Sequence, residues 1–455
     1  MNQTSKLKVS QIDRDRFARA TKTTLEGKEI LTPNFSPLIQ SLAELDIYLN
    51  KMLSPENNQH LGTFIMRIFD AYKILLPWFN IKNQKRIDEK TKPVPSLYRG
   101  FFEKTISLID PATEYLTLEF HFDKFLKLAE KVHFPRQVIT YLHSKDRMKK
   151  TVSSAVYKKW KGQAHKKFWY DLDRERRRLN DLITEYFDLE SRFETKILIP
   201  PMPLVDNESL LDISIRINDM SKALAVNRGE CATYFLLSKS ILRQKKMLKK
   251  IVEYIKHDPA TLTIFKFKNL TLWTSGVFTE REAYRDLMKE IAEIKKDTPE
   301  KLFMLLEGSF QCFPSASYGF DLVSSSLRML DIDSAYGKNS GYGGYFYEEK
   351  LWNAKYADIP EIMFNNEGSL PCPCNICRNI TYDGGKSELQ YNGKKIKKEE
   401  WASYRREHNL FVMNGLMKII NRAIKEKQIE FVRMKIRDSE ISTLKTLIPQ
   451  HYESD

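Results

Sequence analysis

Short apolar runs, most of them four to eight residues long and set between helix-like stretches, restrict this chain more than any other feature. The first is Ile30-Leu31-Thr32-Pro33-Asn34-Phe35-Ser36-Pro37-Leu38-Ile39, a strand with a proline-bounded exit. Others follow at Thr63–Ile68, Thr105–Ile109, Tyr115–Phe120, Gln137–Leu142, Thr195–Ile199, Ala232–Leu237, Leu262–Trp273, Lys301–Leu306 and Phe320–Val323. Runs this short read as buried strands, whereas Arg281–Ile294, with Tyr284, Leu287, Ile291 and Ile294, has the spacing of an amphipathic helix. Strands alternating with helices predict an α/β fold with a parallel sheet. A (β/α)8 TIM-like barrel with insertions suits the 455 residues, and a doubly wound sheet fits the same pattern. The runs outnumber eight, so a barrel requires that some be hairpins or insertions. Neither a Rossmann glycine fingerprint nor a Walker loop is present.

Charge narrows the partners. Lys plus Arg total 74 and Asp plus Glu 59, a formal charge of +15, which favours a polyanion. Much of the excess lies in Lys145–Arg178, where thirteen basic residues face four acids, a local +9. Tyr157, Trp160, Phe168, Trp169 and Tyr170 are interleaved with them. Lys149, Lys150, Lys158, Lys159, Lys161, Lys166 and Lys167 are the candidate nucleic-acid contacts, since cations neutralise phosphates and aromatic rings stack on unpaired bases. A solvated helix with its aromatics packed inward is the competing reading. No run approaches a membrane span and Met1–Lys6 lacks an apolar signal, so a cytoplasmic location and no membrane partner are expected.

Of five cysteines, three lie in Cys372-Pro373-Cys374-Asn375-Ile376-Cys377. Three thiolates on one turn suit a tetrahedral zinc ion, and a fourth ligand must come from elsewhere. His408 opens an amphipathic run through Leu410, Met413, Leu416, Met417, Ile420 and Ile424, and it completes a Cys3His set. Four protein ligands leave no open position for water, so structural Zn2+ is expected. Cys231 and Cys312 read as core residues. The expected organisation is a flexible basic arm over 1–28 and a catalytic barrel over 29–345 with a basic helical insertion at about 145–193. A zinc-binding subdomain with C-terminal helices occupies 346–455.

These C-terminal pieces, with His408-Asn409-Leu410 and Ile420-Asn421-Arg422-Ala423-Ile424, resemble the zinc subdomain of tRNA-guanine transglycosylases. Gly319-Phe320-Asp321-Leu322-Val323 resembles the strand that carries the nucleophilic aspartate of that family. Thr32-Pro33-Asn34-Phe35-Ser36-Pro37 resembles its first barrel strand. Leu108-Ile109-Asp110-Pro111-Ala112-Thr113 falls where the family has an Asp-Ser-Gly-Gly catalytic turn, and Thr274-Ser275-Gly276-Val277 falls where it has a Gly-Gly-Leu base-binding loop. The order matches from about residue 29 to 432. The chain departs from the family in having Pro-Ala-Thr in the turn, Ser-Gly-Val in the loop, and Ser325-Ser326-Leu327-Arg328 for Pro-Thr-Arg.

The resemblance implies exchange of guanine in a polynucleotide for a 7-deazaguanine such as a preQ0-type base. The departures point to the branch that acts on DNA, with tRNA as the alternative substrate and a homodimer as the family's assembly. A non-catalytic zinc-stabilised nucleic-acid-binding subunit is the third reading. Base exchange breaks an N-glycosidic bond; a carboxylate can hold C1′ covalently while a second acid group protonates the departing base. Asp321 is the expected nucleophile and Asp110 its partner, both placed by the pattern at strand ends. Tyr115 is a candidate for stacking on the purine, and Thr274, Ser275 and Gly276 for contact with its edge.

Overall fold

The computed structural model describes residues 7–15, 18–25, 28–52, 63–79, 106–117, 122–193, 195–268, 278–308, 312–326, 345–347, 352–354, 359–365, 367–370, 372–385 and 388–437. The chain begins with an antiparallel meander, β1 (Lys8–Asp15), β2 (Ala18–Leu25) and β3 (Lys28–Thr32). The segment expected to be a loose arm is thus largely a sheet. Its period of two is hidden because Ala18, Arg19, Ala20 and Thr21 are all buried, so both faces of β2 are covered.

Two parallel sheets follow. One contains β5 (Leu38–Ile39), β6 (Thr63–Arg67), β7 (Ile106–Asp110), β8 (Ile197–Leu198) and β9 (Glu230–Cys231), in that order. The other has the order β10 (Thr233–Ser238), β11 (Leu262–Lys268), β12 (Leu302–Leu306), β13 (Leu322–Val323) and β4 (Asn34–Phe35). Only Ser36 and Pro37 separate β4 from β5, and only Ala232 separates β9 from β10. Ser36 N–H donates to Val323 O at 2.8 Å, and Leu38 N–H to Ser325 O at 2.9 Å. The expected strand runs at 63, 105, 195, 232, 262, 301 and 320 are thus parallel strands. Their apolar residues are buried on both faces, as expected for strands covered by helices.

Two other runs are not strands. Gln137–Leu142 lies in the helix Arg136–Thr151, which starts directly after Pro135, a residue with no N–H to leave unpaired. Tyr115 belongs to the 3-10 helix Thr113–Thr117, and residues 118–121 lie outside the described residues. Between β7 and β8 the helices Phe122–Lys131, Arg136–Thr151, Ser154–Arg174 and Arg176–Ser191 make the basic insertion. Ser153 caps its third helix by accepting from Val156 N–H, and Asn207 caps Glu208–Ala225 by accepting from Leu210 N–H at 3.0 Å. The expected amphipathic helix is Phe278–Asp297, with Tyr284, Leu287, Ile291 and Ile294 buried.

Near the C-terminus the short helix Asn375–Arg378 leads into the antiparallel sheet of β16 (Ile380–Asp383), β17 (Glu388–Tyr391) and β18 (Lys394–Lys395). β14 (Tyr345–Tyr347) and β15 (Trp352–Ala354) pair before it. The long helix Lys398–Lys425 then packs against the N-terminal meander and β4. Asn421 Nδ2 donates to Pro33 O at 2.9 Å, which ties this helix to the entrance of β4. No helix among the described residues is long and apolar enough to cross a membrane.

Candidate functional site

Polar side chains meet where the parallel strands end. Arg67 and Asp110 are the last residues of β6 and β7 and lie in register. Lys266 stands in β11 level with Leu306 of β12, and Glu307 follows directly. Lys266 Nζ is 2.7 Å from Asp110 Oδ2 and 2.9 Å from Glu307 Oε1, and it also donates to Glu114 Oε1. Arg67 reaches Glu307 Oε1 through Nη2 at 2.7 Å and Nε at 2.9 Å. Asp110 Oδ1 accepts from Ala112 N–H at 2.9 Å and lies 3.5 Å from the Tyr234 hydroxyl. Asp110 and Tyr234 are fully buried, while the Glu307 side chain keeps 13% of its surface.

Three carboxyls and two cations leave one negative charge if all ionise, and burial penalises that excess. Burial raises Glu114 from its ordinary range, with Lys266 opposing. Burial also works against ionised Glu307, but the charges of Arg67 and Lys266 prevail and hold it at about 2. Lys266 loses solvation, yet Asp110, Glu114 and Glu307 raise it well above the usual lysine range. The surroundings therefore push two carboxyls of one cluster in opposite directions, Glu114 up and Glu307 down. Backbone strain accompanies the cluster. Ala112 has φ 53° and Glu307 φ 57°, left-handed conformations that side chains disfavour.

Asp321 lies elsewhere. It precedes β13 instead of ending it, and its N–H donates to Phe303 O near the start of β12. Four residue steps along β12 separate Phe303 from Glu307, about 13 Å of extended chain. The Asp321 carboxylate is fully buried, 3.1 Å from Arg19 Nε and 2.9 Å from Lys295 Nζ, and it accepts from Phe303 N–H at 2.9 Å. Burial opposes its charge, but Arg19 and Lys295 keep its titration below the usual aspartate range. Arg19 also donates to Pro299 O and Lys301 O. These contacts describe a structural ion pair that joins the meander to the amino ends of the parallel strands. Asp321, expected as the nucleophile, thus has both oxygens occupied and stands at the opposite end of the strands from the carboxylate cluster. At the carboxyl end, Ser324 follows β13 and accepts from Gly308 N–H at 2.7 Å.

Of the expected site residues, the structure brings only Asp110 into this cluster. The side chain of Tyr115 and all of Thr274, Ser275 and Gly276 lie outside the described residues. Arg67, Glu114, Tyr234, Lys266 and Glu307 were missed by sequence reasoning. A signal existed: Lys266 and Arg67 are cations inside the apolar runs Leu262–Phe267 and Thr63–Ile68, and Glu307 directly follows Lys301–Leu306. Charges at the ends of buried strands are exposed to chemistry or to each other.

In the basic helices, Lys149, Lys158, Lys159 and Lys167 are exposed. Lys150 pairs with Asp146 at 2.7 Å, Lys166 with Asp206 at 2.8 Å, and Lys161 is half-buried. The aromatics divide: Tyr157 and Trp169 are buried, and Trp160 stacks on Tyr157 with centroids 6.0 Å apart. The inward-packing reading thus holds for Trp169.

The second site is Cys372, Cys374, Cys377 and His408, all buried, with ligand atoms within 4.8 Å of one another. His408 Nδ1 is 3.5 Å from the sulfurs of Cys372 and Cys374 and 3.2 Å from that of Cys377. A tetrahedral ion with S and N ligands at ~2.3 and ~2.0 Å spaces them about 3.5 Å apart, so the donor set fits a metal. Cys374 also caps the helix Asn375–Arg378. His408 lies inside the helix Lys398–Lys425, ten residues past its start, and not at a helix start as expected. No protein-family model matches the chain, and no curated protein matches it at a significant level.

Proposed function

We propose that the chain is a polynucleotide base-exchange enzyme that replaces guanine by a 7-deazaguanine, in DNA rather than tRNA, at the carboxyl end of a closed (β/α)8 barrel. The barrel reading rests on the continuity of β4 with β5 and of β9 with β10. Each of the two sheets ends on a strand whose continuation begins the other, which would join their eight distinct strands into one ring. The observation that carries the enzyme reading is the Lys266-centred cluster at the carboxyl ends of β6, β7, β11 and β12, where such barrels do chemistry. The turn Asp110-Pro111-Ala112 adds support. Ala112 adopts the glycine-type conformation at the position where the resembling turn has glycine.

In this reading Glu307 is the nucleophile. Arg67 and Lys266 both hold Oε1, so Oε2 attacks C1′. The C1′–N bond breaks as the O–C1′ bond forms, and Glu114 gives its proton to the departing base. Glu114 then takes a proton from the incoming base, whose nitrogen displaces Glu307 and restores the free carboxylate with retention. Asp110, held by Lys266 and Ala112 N–H, positions the lysine. Structural zinc at Cys372, Cys374, Cys377 and His408 anchors the subdomain in a reducing compartment. Lys149, Lys158, Lys159 and Lys167 contact phosphates.

Nucleoside mass spectrometry of DNA and tRNA from cells with and without the gene tests the function. A deazaguanine confined to DNA is expected, and one confined to tRNA would transfer the same chemistry to that substrate. The neutral Ser324 at the end of β13 favours one competing reading, a non-catalytic nucleic-acid-binding subunit. Unchanged nucleosides with nucleic-acid binding intact would select it.

A further inference from the structure

We propose that the mouth of the carboxylate cluster holds a phosphodiester-binding subsite, built from Lys268 of β11 and from Lys161 and His165 of the helix Ser154–Arg174. Its ligand is the backbone phosphate beside the reacting nucleotide, and that assignment of the neighbouring nucleotide rests on the base-exchange reading. Lys268 follows Lys266 by two residues, so both side chains leave one face of β11, with Lys268 about 7 Å farther toward the carboxyl end. The helix Ser154–Arg174 packs on the 3-10 turn that carries Glu114. Lys161 and His165 are one helical turn apart and share a face.

His165 is only 7% exposed, and among the described residues its Nε2 has no hydrogen-bond partner. A buried ring nitrogen without a partner is costly, and a ligand oxygen supplies one. The surroundings select an anion. Among the largest influences on His165 are Lys268, Lys166 and Lys145, against the carboxylate of Asp206, which is itself paired with Lys166. Lys268 in turn feels Lys161 as well as Glu114. Burial first, then these lysines, lower His165 to about 4, so the ring is neutral near pH 7. A phosphate would favour the protonated ring and raise that value.

A short single-stranded oligodeoxynucleotide is the probe, with the full chain loaded with zinc. Lys268→Ala should weaken binding severalfold and reduce the slope of log affinity against log salt by about 0.7, the share of one phosphate contact on a single strand. Lys249→Ala removes the same charge from an exposed position on the helix Lys245–His257 and should leave both quantities unchanged. In histidine-labelled wild-type protein, the His165 imidazole signal, assigned with His165→Gln, should move on binding and titrate at higher pH. Equal behaviour of the two lysine variants, or an unmoved His165 signal in the complex, overturns the subsite. Binding does not require turnover. Lys268-dependent binding without base exchange would therefore retain the subsite and discard the chemistry.

Discussion

Arg19 Nε lies 3.1 Å from Asp321 Oδ1, across 302 positions of sequence. This pair, with Lys295, buries an aspartate that sequence reasoning assigns to catalysis. Removing one partner of a buried pair leaves an uncompensated charge, at a cost of about 3–5 kcal/mol. Asp321→Ala should therefore lower the thermal midpoint sharply. A variant with wild-type stability and no covalent adduct would return Asp321 to the mechanism. Because the folded-state pKa of Asp321 is depressed, its contribution is present above the unfolded aspartate range. It is lost as pH falls through the folded value.

Glu307 supplies a pH test. It is held at about 2 against burial by Arg67 and Lys266, so wild-type kcat/KM should show no acid limb from this group in the mildly acidic range. Arg67→Met removes one holding charge and raises the Glu307 pKa. Activity should then fall as pH drops through a higher value. Superimposable pH profiles for the two proteins would remove Glu307 as the required anion.

Glu307→Gln keeps the size of the side chain and abolishes its charge. It should eliminate a denaturant-resistant protein–polynucleotide adduct while binding stays within twofold. A full-strength adduct in this variant, measured on denaturing gels, would exclude Glu307 as the nucleophile.

Replacing Cys374 or His408 by Ala should reduce zinc from one equivalent per chain to near zero by elemental analysis. Structural zinc contributes about 10–16 kcal/mol in isolated finger peptides, so the subdomain should also become protease-sensitive. The same change at Cys231, buried alone, should leave zinc content unaltered.

The triple change of Lys158, Lys159 and Lys167 to Ala should lower the salt slope for duplex DNA by about 2.7 if all three contact phosphate. Stability should change little, because these side chains are exposed. An unchanged slope would place the strand on another face.

The Cys3His cluster was legible because three of its members sit within six consecutive residues, and thiolates grouped so closely suit a metal. The parallel strands were legible because each is buried on both faces and so has an uninterrupted apolar run. β1 and β2 were not, since buried threonine, alanine and a paired arginine do not read as core. Asp110 was found by its place at the end of a run. Glu114 and Tyr234 gave no such signal, because their contacts with Lys266 and Asp110 form only in the folded chain.

Local composition alone determined that this chain builds parallel strands between helices, carries a Cys3His knuckle, and presents an excess of positive charge. Those properties depend on residues within a turn or a strand of one another. Which aspartate pairs with Arg19 and Lys295 and which joins the Lys266 cluster was decided only by the tertiary structure. The two differ in the end of the strands they occupy and in the distant cations they meet. Burial and ion pairing are properties of neighbours in space, and Arg19, Lys266 and Lys295 become those neighbours only when the chain is folded.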